Sequence, residues 1–163
     1  MTASPTQQNA LLDFSGLPRF DLIAPSDVQP AISKLLDDCR ALVEHLTSDR
    51  VAATWDDFAA ALTDGLEPLS RAWGIVGHLH AVNDVPGWRD AYNRMLPEVS
   101  RFYAEVGQNL QLFAKYKAIA ASSEFAGLSA ARRRIVKHEI RDFRLAGAEL
   151  PEDQKPRFQA ISE

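Results

Sequence analysis

His138-Glu139-Ile140-Arg141-Asp142 is the segment that comes nearest to a catalytic motif. A zinc site of the His-Glu-x-x-His type needs two imidazoles four residues apart, both facing one metal from one side of a helix, with the glutamate activating a water. Here the second imidazole position holds Asp142. Aspartate can ligate zinc, but a two-ligand fragment flanked by Arg141 and Arg144 is a poor cation site. The segment reads as a surface helix with its Arg, His and Glu side chains turned outward.

The remaining chemistry-bearing residues fare no better. His78 and His80 are two apart, and on a helix such neighbours point about 200° away from each other, so they cannot share a metal. One of them is expected to pack near a helix end and hydrogen-bond there. Cys39 and His45 could form a nucleophilic pair only by meeting in space, and six helical positions leave them about 120° from stacked. Arg132-Arg133-Arg134 with Lys137, Arg141 and Arg144 concentrates basic charge: residues 132–144 hold six basic and two acidic side chains, a local +4. Residues 13–67 hold eleven acidic and four basic, a local -7. Without interleaved aromatics the basic helix reads as a charged face that pairs within the protein rather than as a nucleic-acid surface. Glycine-rich phosphate loops, nucleophile elbows and glycosylation sequons are absent from the sequence. No residue is therefore assigned a catalytic, cofactor-binding or metal-ligating role.

The chain that carries these residues has 163 of them, 46% hydrophobic and 25% charged, with a formal net charge of -4. That composition is globular and argues against a dedicated nucleic-acid binder. Its length suits one domain that needs no disulfide or metal staple. Cys39 is the single cysteine, so no intrachain disulfide or multi-cysteine zinc site can form. Apolar runs are far shorter than the roughly 20 residues of a membrane span, and residues 1–10 lack the pattern of a secretion signal. A cytoplasmic protein with no membrane association is expected.

Helical periodicity organises the rest. Residues 1–24 contain Pro5, Gly16 and Pro18 but no sustained period, and Leu17, Phe20, Leu22 and Ile23 mark an extended arm on the domain surface. Ser26 and Gln29 have capping-box spacing, with Pro30 in the first turn. Val28, Ile32, Leu35, Cys39, Leu42 and Leu46 then form one stripe ending near Thr47. Thr54 and Asp57 cap a second helix whose stripe runs from Phe58 to Leu79, with a bend expected between Asp64 and Pro68. A third runs from Trp88 to about Ala121 with a kink at Pro97, and a fourth from Ser129 to Ala146, stopped by Gly147 in a left-handed conformation. Pro151 opens a fifth helix, with Phe158 and Ile161 as its first apolar positions. No alternating strand pattern is found. The expectation is an all-α fold, about five helices in an irregular antiparallel bundle. Residues 1–24 form the arm, 25–150 the helical domain, and 151–163 the start of a truncated further helix.

The order of segments carries a resemblance. Leu17-Pro18-x-Phe20, Ile23-x-Pro25, Val28-x-Pro30-Ala31 and Thr54-Trp55-Asp56-Asp57 come first. His78-Leu79-x-x-Val82, Arg89-x-Ala91-Tyr92, Leu96-Pro97, Arg141-Asp142-Phe143-x-Leu145-x-Gly147 and Leu150-Pro151 follow. Together, over Leu17 to Glu163, they resemble the N-terminal region of bacterial members of the thimet-oligopeptidase family of zinc metallopeptidases.

The resemblance implies a longer parent whose zinc site lies in its C-terminal half, so that His138-Glu139 is a decoy. It implies that this region forms one wall of a channel that admits short peptides and excludes folded proteins. Zinc belongs to the parent and no cofactor to this piece, which is expected to be inactive alone. Its partners would be the missing C-terminal catalytic domain and, in the parent, short peptides. The competing reading is a free-standing helical module that binds proteins or peptides. A domain cut from a larger enzyme should also expose an apolar patch, here at Phe158, Ile161 and aromatics of the third helix, through which it could self-associate.

Overall fold

The computed structural model describes residues 9–83, 85–151, 153, 154 and 157. Its helices are α1 (Pro25–Thr47), α2 (Ala61–Val82), α3 (Pro86–Gly107), α4 (Leu110–Ala121), α5 (Glu124–Gly127) and α6 (Ala130–Leu145). Short 3-10 turns occur at Ala10–Leu12 and Phe20–Leu22, and a π-helical turn at Trp55–Ala60 leads into α2. No strand occurs among the described residues, and the fold is all-α.

Helix starts follow the local chemistry, with one reassignment. At α1 the carboxylate of Asp27 accepts the Ala24 N–H at 2.8 Å, so the first turn is closed from Asp27. Ser26 and Gln29 do not form the expected box: Gln29 Oε1 instead accepts from Arg94 Nη1 at 3.2 Å. With the helix beginning at Pro25, Pro30 falls in the second turn rather than the first. Thr54 caps as expected, its hydroxyl accepting the Asp57 N–H at 3.1 Å. Ser129 does the same for Arg132, and Gly147 has φ 88°.

α2 and α3 run unbroken through Pro68 and Pro97. The carbonyls that those prolines and Pro30 leave without an amide belong to Asp64, Asn93 and Ser26, all exposed residues, where water can substitute. A π-type irregularity lies just before α2, where Ala59 N–H donates to the Thr54 carbonyl five residues back at 3.3 Å. The expected third helix is two helices. Gly107-Gln108 ends α3, and the Asn109 side chain accepts from Gln111 and Leu112 N–H groups, both at 3.0 Å, to start α4. Pro151 does not open a helix: Asp153 and Gln154 form a turn in which Gln154 N–H donates to the Pro151 carbonyl at 2.9 Å, and Phe158 and Ile161 lie outside the described residues.

The chain divides into two compact units, residues up to Ala41 with Asp64–Ser100, and Leu42–Thr63 with the residues from Arg101 onward. In the first unit Val28, Ala31, Ile32, Leu69, Ala72 and Val76 are fully buried. Their spacing on α1 and α2 is the three-four period of packed helix faces. Leu11 and Ile23 of the arm enter this core, while the Asn9 amide donates to the Asp27 carbonyl at 2.9 Å.

The second unit is built around Tyr116, which meets Phe58 edge-on at 5.0 Å and Phe143 at 5.9 Å between ring centroids. Phe113 stacks on Phe143 at 5.6 Å. Two long-range polar contacts fasten the backbone around this cluster. Lys115 Nζ donates to the Ser48 carbonyl at 3.0 Å and also to that of Val51, and the Glu124 carboxylate accepts the Trp55 N–H.

Candidate functional surfaces

The motif residues of α6 do not converge. His138 and Asp142 are exposed, and Asp142 is engaged by Arg141 at 2.7 Å. Glu139 turns partly inward rather than outward as expected, since it lies about 100° round the helix from His138. Burial and then the charge of Asp142 raise its carboxyl above the ordinary range. Among the described residues no three His, Cys, Asp or Glu side chains are grouped as a metal would need. The donor set of α6 therefore does not fit a zinc ion.

The other candidates are placed as packing groups. His78 meets Phe20 edge-on at 5.6 Å, and His80 stacks on Tyr92 at 4.3 Å with the rings 9° apart. Trp73 stacks on the same tyrosine at 4.9 Å, also 9° from parallel. Trp73 and His80 are two helical turns apart on one face of α2, so three rings form a half-buried rack. Cys39 is 2% exposed, and burial, with Asp38 adding to it, pushes its thiol up to about 11. It is no thiolate nucleophile near neutral pH. His45 is exposed.

Most of the arginine tract is engaged within the second unit. Arg132 lies 5.0 Å over the Trp55 ring and 3.7 Å from Asp56, and Arg133 donates to the Ala126 carbonyl at 3.0 Å. Arg144 pairs with Glu149 at 3.0 Å. Arg134 and Lys137 extend into solvent.

Two surface features remain in the first unit. A notch of about 250 Å³ lies between the starts of α1 and α3, lined by Pro25, Ser26, Gln29, Asp90 and Arg94. The second is the arm, which runs along α2. Phe14 lies 5.8 Å under the Arg71 guanidinium, the Gly16 carbonyl accepts from the same arginine, and Phe20 reaches His78. Arg71 was not distinguishable by sequence, because nothing in its spacing signals a backbone carbonyl 55 residues earlier.

The aromatics of the expected third helix differ in exposure. Trp88 and Phe102 are buried, Tyr92 is half-buried and only Tyr103 of the α3 aromatics is exposed. Leu17, Phe20, Leu22, Val82, Val85 and, on α3, Leu96 are exposed in the first unit, and Leu110, Ile135 and Leu145 in the second. Phe158 and Ile161 lie outside the described residues. No helix among the described residues is long and apolar enough to cross a membrane.

The family model for the N-terminal domain of neurolysin/thimet oligopeptidase matches residues 32–155. Oligopeptidase A of Haemophilus influenzae is 36% identical over 96% of this chain, which covers 23% of that protein. Oligopeptidase A of Escherichia coli is 34% identical over 94% of the chain and 23% of its own length. A probable cytosolic oligopeptidase A of Arabidopsis thaliana is 33% identical over 95% of the chain and 22% of its length. The chain thus spans less than a quarter of these relatives.

Proposed function

Because the chain belongs to the neurolysin/thimet oligopeptidase family and carries its N-terminal domain, we propose that it is the non-catalytic helical domain of a zinc-dependent oligopeptidase and forms part of the wall of its substrate channel. The observation that carries this reading is the alignment itself: 96% of the chain is accounted for by 23% of a peptidase. Zinc and the residues that use it would come from the remaining three-quarters of such a protein, together with the site for short peptides. The parent would work in the cytoplasm, in keeping with a relative described as cytosolic. Residues 25–150 are the domain proper in this reading, preceded by the arm 1–24 and followed by the first residues of a further helix.

A wall contributes to selectivity without a reactive side chain. It must be rigid, so that shape excludes folded proteins before chemistry begins. Continuous helices of 22 and 23 residues, with their interior prolines accommodated, supply that rigidity.

The test has two parts. The reading frame beyond Glu163 should encode a His-Glu-x-x-His helix, and an immediate stop would support the free-standing interaction module instead. The purified chain should neither cleave a fluorogenic short peptide in a chelator-sensitive way nor retain stoichiometric zinc after dialysis. Either behaviour would overturn the non-catalytic assignment.

A further inference from the structure

The arm and the end of α2 present apolar side chains that the first unit does not use. Arg71, His78 and Val82 share one face of α2, since steps of seven and four residues return to nearly the same angle. The arm advances along that face in the direction of the helix, with Phe14 and Gly16 at Arg71 and Phe20 at His78. Beyond this, Leu17 is 89% exposed, Val82 65%, and Phe20 and Leu22 44% each. Single exposed leucines are ordinary, but here four of the most exposed large apolar residues gather on one fastened segment and the helix beneath it. The only charges within the segment, Arg19 and Asp21, neutralise each other at 3.1 Å.

We propose that this ridge of Leu17, Phe20, Leu22 and Val82 is the seat of the remainder of the parent polypeptide, received in an apolar groove of the region that follows the N-terminal domain. The inference rests on the peptidase reading above. Three observations favour this occupant. Leu17 and Val82 stand 89% and 65% exposed and none of the four residues lines the notch between α1 and α3, whereas sites for small ligands and peptides are concave. The ridge is pre-organised by Arg71, His78 and the buried Ile23, which lowers the ordering cost of docking. Finally, the chain accounts for 23% of its relatives' length, so the remaining polypeptide is a tethered partner. Tethering supplies an effective concentration of about millimolar, which a second copy at ordinary concentrations does not match.

Hydroxyl-radical footprinting of this chain alone, and of the full-length product of its gene, tests the assignment. Labelling of Leu17, Phe20, Leu22 and Val82 should fall about fivefold in the full-length protein, as for side chains moved from solvent into an interface core. Equal labelling in the two proteins overturns the proposal. Protection that appears only when a short peptide is added gives the ridge to substrate and also overturns it. So does a dimer of this chain that Val82→Asp dissociates, if full-length labelling stays unchanged. Leu17→Asp with Val82→Asp should leave the melting of this chain unaltered while restoring labelling at Phe20 and Leu22 in the full-length protein. Peptide hydrolysis by the wild-type full-length protein is scored separately. Protection without hydrolysis keeps the ridge and rejects the peptidase reading, whereas hydrolysis without protection does the reverse.

Discussion

The carboxylate of Glu124 accepts the Trp55 backbone N–H through both of its oxygens, at 3.1 and 3.3 Å, across 69 residues of sequence. The first amides of a helix have no partner within it, and a negative charge is favoured there by the aligned peptide dipoles. Thr54 satisfies the amide of Asp57, and Glu124 reaches in from α5 to satisfy that of Trp55, itself buried. Removing the acceptor strands a buried donor, so Glu124→Ala should cost about 1–3 kcal/mol. Glu124→Gln keeps an acceptor without the charge and should lose less than half as much. Urea unfolding midpoints measure both, and an alanine variant as stable as the wild type would show that the contact is not formed in solution.

The start of α1 gives an internal contrast. Asp27 closes the first turn on Ala24, and Ser26, which has the better capping spacing in the sequence, points into solvent. Asp27→Ala should lower stability by about 1 kcal/mol, the usual worth of a cap. Ser26→Ala should change it by less than about 0.5 kcal/mol, as surface substitutions do. Thermal melts of the two variants decide the matter, and the opposite ranking would restore Ser26 as the cap.

Cys39 Sγ lies 3.8 Å from the Gly65 carbonyl in a core where almost none of the residue is exposed. With its thiol pushed up to about 11, it stays protonated at pH 8 and should react with an aromatic disulfide reagent only as the protein unfolds. The folded pKa is raised, so the stabilisation is fully present below the ordinary thiol value of about 9 and is lost as pH rises towards 11. The stability advantage of the wild type over Cys39→Ala should accordingly shrink between pH 8 and pH 10.5. Rapid labelling of the native protein at pH 8, or a gap that widens with pH, would contradict this.

What the residues reveal in advance depends on whether the cause is local. The stripe from Val28 to Leu46, the Thr54 cap and the left-handed Gly147 follow from three-to-four-residue spacing, and each has its counterpart in the structure. The break at Gly107-Gln108-Asn109 was also locally encoded, as a stop and a cap. It was masked because apolar residues on α3 and α4 happen to continue the period across it. Pro68 does not interrupt α2: a residue that breaks an isolated helix is accommodated where the freed carbonyl can meet water. The reach of Arg71 to Gly16, of Lys115 to Ser48 and of Glu124 to Trp55 joins segments more than 50 residues apart, which no pattern along the chain encodes.

Glu139 should make the protein more stable when it is neutralised. It is half-buried on α6, and it forms no ion pair among the described residues while Asp142 adds a like charge. Burial comes first among the causes that raise its carboxyl above the ordinary value of 4.5. A raised folded pKa means that the native state holds the proton more tightly than the unfolded chain, so the associated stability is complete below about pH 4.5 and is lost as pH rises through the folded value. Glu139→Gln keeps the shape and cannot ionise. It should match the wild type in acid and exceed it at pH 7, by no more than about 1 kcal/mol given the solvent screening of a partly exposed group. Unfolding midpoints of both proteins from pH 4 to pH 8 measure the difference. A glutamine variant less stable at pH 7 would mean that the ionised carboxylate is held by a favourable contact, and the sign of the argument would be wrong.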